Sequence, residues 1–118
     1  MTQVAVIHSA FGDTPHVVAL VEVGERTGTE ALEYAYFRTQ NLEGSWSKGP
    51  TFEFKGTVYR NGDYSSDVTV MAPLHTKDGV EYGLRSTSMG DQLLLGNNKY
   101  EVAAFGFKQI GEKKVDFA

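Results

Sequence analysis

At 118 residues, with 41% hydrophobic and 12% aromatic content, the chain has the size and apolar content of one folded domain. Its net charge of −4 is scattered, so no basic face for a phosphate backbone is indicated and no nucleic-acid partner is expected. The absence of cysteine excludes disulfides, thiolate metal sites and cysteine nucleophiles.

Val4, Ala5, Val6 and Ile7 form a short apolar run, and Val17, Val18, Leu20, Val21 and Val23 form a second. Both are apolar on alternating faces, which predicts strands covered on both sides. Phe11-Gly12-Asp13-Thr14-Pro15 between them reads as a hairpin loop. Thr27-Gly28-Thr29-Glu30 then has the spacing of a capping box, opening a helix that runs to Gln40. Leu32, Ala35, Tyr36 and Thr39 fall on one stripe of that helix, with Ala31 beside it. Asn41 and Gly44 supply stops.

Residues 42–82 read as a β and loop excursion. Thr51 to Lys55 alternates, with Phe52 and Phe54 on one face, and Val58-Tyr59-Arg60 continues that strand past Gly56. Asn61-Gly62 is a two-residue turn signal. Val68 to Met71 is a strand ended by Pro73, and Lys77-Asp78-Gly79 turns into Val80-Glu81-Tyr82. Gly90-Asp91 precedes the strand Leu93-Leu94-Leu95, followed by a Gly96-Asn97-Asn98 turn. The last strand carries Tyr100, Val102 and Ala104 on one face, and Gly106 suggests a bulge or a close backbone contact before Phe107. Residues 1–111 are expected to form the domain and 112–118 a frayed tail. The whole is α+β: one helix packed on one face of a mainly antiparallel sheet.

Asn61, Asp63, Ser65 and Asp67 alternate like the first ligands of a calcium loop, but Ser66 stands where that loop needs glycine and Ala72 where it needs a bidentate glutamate. His8, His16 and His75 have no metal-ligand spacing, although His8 and His16 can face each other across the first hairpin. No metal or cofactor is expected. Ser86, Thr87 and Ser88 offer hydroxyls without the Gly-x-Ser-x-Gly elbow, so no catalytic residue is assigned and a hydrolase ranks last. Arg85 has two readings, an anion-binding cation or an arginine paired with a carboxylate, of which the pair is the commoner. Trp46 likewise is either a lid on the core or an anchor for a partner. Trp46, Tyr59, Arg60, Arg85 and Ser88 are the candidate binding residues.

Thr-x-x-Glu30-Ala31-Leu32, then Arg85-Ser86-Thr87-Ser88-Met89-Gly90-Asp91, then Tyr100 and Phe105-Gly106-Phe107, resembles the YodL-like domains of phages and mobile elements. The resemblance covers about half the chain. Trp46 to Val80 reads as an insertion, and Gly90 stands where the pattern has serine. No catalytic residues carry over. The resemblance implies a non-enzymatic accessory protein that binds a host protein in takeover or anti-defence. A binder of an anionic nucleotide, using Arg85, Arg60 and Tyr59, is the alternative. No apolar run approaches the ~18 residues of a membrane-spanning helix, and Met1-Thr2-Gln3-Val4 lacks the basic-then-apolar pattern of a secretory signal. A cytoplasmic protein without a membrane partner is therefore expected, and an open sheet edge would let two copies pair as a homodimer.

Overall fold

Valine-rich strands with two-residue periodicity seed the sheet. The computed structural model describes residues 2–112. β1 (Gln3–His8) and β2 (His16–Glu22) form an antiparallel hairpin in which His8 pairs with His16. A helix α1 (Gly28–Arg38) follows, then two short hairpins that do not join the main sheet. These are β3 (Thr51–Phe54) with β4 (Thr57–Arg60), and β6 (His75–Lys77) with β7 (Val80–Tyr82). Between them β5 (Val68–Val70) returns to pair with β2. β8 (Gln92–Leu95), β9 (Asn98–Val102) and β10 (Phe107–Glu112) complete a six-stranded antiparallel sheet in the order β10-β9-β8-β1-β2-β5. The α+β class is as expected.

Register explains which face is buried. Val6 lies between Ala19 and Leu93, and Val4 between Val21 and Leu95, so these residues share one face with Val68, Val70, Tyr100 and Val102. Ala31, Leu32 and Ala35 of α1 pack into the same cluster. The opposite face carries Ala5, Ile7, Leu20 and Leu94, which are half-buried. The expectation of strands covered on both sides therefore holds for one side only, because the single helix has no counterpart on the other.

Several local expectations change. Thr27 stands at the helix start but makes no side-chain cap bond. Gly28 takes φ +55, so the first helical residue departs from helical geometry and the amides are not presented to the threonine hydroxyl. The helix ends at Arg38, and the Thr39 hydroxyl donates back to the Ala35 carbonyl at 3.0 Å. Gly56 does not interrupt one continuing strand. Lys55 and Gly56 (φ +50 and +84) form a tight hairpin turn, as do Asp78 and Gly79 (φ +54 and +78). Two consecutive positive φ values match the twist of the flanking strands, and a glycine at the second position makes them accessible. Gly106 likewise is no bulge: the chain reverses there, with Ala103 N–H donating to Gly106 O at 2.9 Å. The irregularity falls later, between Gln109 and Gly111. Glu112 ends β10 rather than opening a tail, and the rest of the expected tail lies outside the described residues.

Candidate functional site

Asp91 is enclosed completely, at 0% exposure, and a charge in that position must be paired. Arg85, six residues earlier, supplies the pair as a fork. Its Nη1 donates to Asp91 Oδ2 at 2.6 Å and its Nη2 to Oδ1 at 2.9 Å. Backbone amides of Ser9 and Ala10 donate to Oδ1 at 2.8 and 2.9 Å, and that of Ser88 to Oδ2 at 2.8 Å. One carboxylate thus closes the 85–91 loop on itself and fastens it to the end of β1. Burial pushes the Asp91 carboxyl up, but the Arg85 hydrogen bonds and the three amides outweigh it and hold the group well below the usual carboxylate range. Arg85 also donates to Asp13 at 3.1 Å, with its guanidinium carbon 4.9 Å from the Phe11 ring centroid. This is the paired-arginine reading, with the cation already engaged.

A chain of hydroxyls runs inward from the same place. Thr39 Oγ1 donates to the helix carbonyl, Thr87 Oγ1 donates to Thr39 Oγ1 at 2.8 Å, and His8 Nε2 lies 3.1 Å from Thr87 Oγ1. With both hydroxyl protons spent, Thr87 accepts from His8, which fixes the imidazole as the neutral Nε2–H tautomer. Burial lowers the His8 pKa to about 4, with Asp91 opposing and Arg85 reinforcing the change. Asp91 Oδ2 is 3.8 Å from that same Nε2. A nucleophile relay needs the hydroxyl and the carboxylate on opposite ring nitrogens, and here both face one. The cluster is built as a clamp, and its geometry offers no activated hydroxyl.

Ser88 belongs to this loop, its hydroxyl donating to Ser86 O at 3.2 Å. Trp46 is 1% exposed and its Nε1 donates to Arg85 O at 2.8 Å. Its role as a surface anchor is therefore corrected: the indole is the lid over this part of the core, where shape and one donated hydrogen bond hold it. His8 and His16 do meet across the hairpin, edge to face at 6.4 Å.

The oxygens of the calcium-like run point to separate protein donors. Asn61, 6% exposed, accepts from Ser45 N and sends its amide to the carbonyls of Ser45, Lys48 and Gly49. Asp63 accepts from the amides of Leu42 and Glu43, and Asp67 from the Tyr34 hydroxyl. Asn61 opens the expected turn, with Tyr64 N–H donating to its carbonyl at 3.3 Å, and its side chain also ties distant loops together as a knot; no hairpin follows the turn.

That knot supports the second feature, the pair of small hairpins. Phe52 and Tyr59 stack across β3 and β4 at 5.6 Å, and Phe54 meets Tyr82 of β7 edge-on at 5.6 Å. Lys48 bridges the two hairpins, donating to Glu81 O at 2.6 Å while its ammonium sits 4.8 Å from the Phe52 ring and 5.4 Å from Phe54. Tyr59 is partly exposed at the rim of this cluster, and Val58 on the other face of the ribbon is 71% exposed. No family model, no curated protein and no solved structure matches the chain. Among the described residues, no three His, Asp or Glu side chains converge as a metal site would require, and no helix is long and apolar enough to cross a membrane.

The candidate residues therefore divide. Arg85, Ser88 and Trp46 come together in the clamp and its lid, whereas Tyr59 and Arg60 lie on β4. Among the described residues, neither Tyr59 nor Arg60 joins the hydrogen bonds, ion pairs or cation–aromatic contacts of Arg85. Sequence reasoning gave no site role to Thr39, Asp91 or Lys48, and weighed His8 and Asn61 only as metal ligands or turn residues. The Gly90-Asp91 step was visible, but nothing local says that its carboxylate takes amides from residues 9 and 10.

Proposed function

We propose that this protein is a non-enzymatic accessory protein of a phage or mobile element that binds a host protein, with the hairpin pair of residues 51–82 as its contact surface. The observation that carries this reading is the exposure of Val58 and Tyr59 on a ribbon outside the main sheet, at 71% and 45%. A two-stranded ribbon is marginal alone in water, and partly exposed aromatics beside cations are the composition of binding hot spots. Lys48 and the Asn61 knot hold the two ribbons in a fixed relation, which reduces the ordering cost of binding. Support for a binding role over an anion-sequestering one is the engagement of Arg85 by two carboxylates.

The test is quantitative capture of a partner by the intact chain and by the double variant Val58→Glu/Tyr59→Ala, with Lys99→Ala on the sheet as control. The double variant should lose the partner by about tenfold or more, and Val58→Glu alone, which leaves the Phe52–Tyr59 stack in place, should weaken capture while keeping its melting temperature. Full capture by the double variant, or a phosphorylated ligand co-purifying in native mass spectrometry, would count against the proposal.

A further inference from the structure

Phe105 is 98% exposed, more than any other large hydrophobic side chain among the described residues. It sits in the Ala103–Gly106 turn that joins β9 to β10, which is closed by the Ala103 N–H to Gly106 O hydrogen bond at 2.9 Å. Directly beside the turn is a hollow of about 280 Å³, lined by Glu33, Tyr36, Val102, Ala104 and Phe107 among others. Tyr36 and Phe107 stand edge to face at 6.1 Å in its wall. A cavity of about 150 Å³ accepts benzene, so this hollow has room for a phenyl ring.

We propose that two copies of the chain associate by reciprocal insertion of Phe105, each ring entering the hollow beside the other copy's turn. A two-fold interface requires that if one residue contacts a second, the second contacts the first across the axis. A knob and a matching hollow within one turn of each other satisfy that condition with a single short axis. The arrangement closes on itself, so it gives a dimer and not a fibre. An aromatic ring buries roughly 150–250 Å², so two rings and their rims stay below the roughly 1,200 Å² of a standard interface. The dimer is accordingly weak, with a dissociation constant in the micromolar range or above. Pairing through the open β10 edge is a poorer route, because the irregularity between Gln109 and Gly111 disturbs the strand that would have to pair.

Sedimentation velocity across micromolar to near-millimolar concentration reads this directly. The unmodified chain should pass from monomer to dimer, and Phe105→Ala should raise the dissociation constant about thirtyfold or more. Its melting curve should not change, since the ring is almost wholly exposed. Ala104→Arg, which fills the hollow and keeps the knob, should weaken the dimer similarly. Mixing the two variants restores one insertion, so the mixture should associate more strongly than either variant alone. An unmodified chain that stays monomeric, a dimer that survives Phe105→Ala, or a mixture no stronger than its components would each overturn the proposal.

Discussion

His8 is a buried imidazole held neutral between a threonine hydroxyl and the edge of the Trp46 ring, whose centroid is 6.3 Å away. Its pKa is lowered from 6.5 to about 4, so between these values the unfolded chain binds a proton that the folded chain refuses. The His8 contribution to stability is therefore complete above pH ~6.5 and falls as the pH drops toward ~4, by up to roughly 3 kcal/mol. Asp91, Arg85, His16 and Asp13 are the charged or titratable groups acting on this imidazole. The Asp91 carboxyl is shifted in the same direction, downward, but in a lower window: its contribution is complete above the ordinary carboxylate pKa and is lost only in stronger acid. Urea denaturation at pH 7 and pH 4.5, with the His8 ring followed by NMR, checks this; a His8 that titrates near 6.5 would refute it. Asn61 offers a second residue-level test. Asn61→Asp replaces the amide donor that serves three carbonyls, and should cost about 2–4 kcal/mol of stability. An unchanged urea midpoint would show that the knot contributes nothing.

Among the elements, the two small hairpins differ in kind from the six-stranded sheet. They bury little, and pairs of strands without neighbours open easily. Amides in β3, β4, β6 and β7 should exchange hydrogen about tenfold or more faster than those of β1, β2 and β8. Equal protection would mean that the ribbons are part of the core, and would weaken their case as a docking surface. These elements also mark the boundary of what the amino-acid pattern reveals. β1, β2, α1 and β8 follow from periodicity, because each buries one continuous apolar face. The Lys55-Gly56 turn escaped because Lys-Gly is a weak local signal, and only the cross-strand stacking of Phe52 on Tyr59 selects the hairpin. Asn61-Gly62 does mark a turn, closed by Tyr64 N–H on the Asn61 carbonyl at 3.3 Å, but no hairpin: the Asn61 side-chain amide is taken by carbonyls at residues 45, 48 and 49. Tertiary competition for a side-chain amide leaves no trace in spacing.

On the scale of the molecule, the run from Arg85 to Asp91 joins three parts of the fold. It holds the end of β1 through Asp91, receives the Trp46 indole on the Arg85 carbonyl, and meets the C-terminal end of the helix through Thr87 and Thr39. The Arg85–Asp91 run is thus a fastening of the domain, and the surface proposed for binding lies outside it. Arg85 had two readings there, and its pairing with Asp13 and Asp91 matches the commoner one. The most direct test is the thermal stability of Asp91→Asn. Removing the charge opposite a paired arginine in a buried site should cost about 3–5 kcal/mol, or about 10–20 °C in Tm for a domain of this size. A variant that melts within ~2 °C of the unmodified chain, yet loses binding or any activity, would make Asp91 a functional group and contradict the clamp.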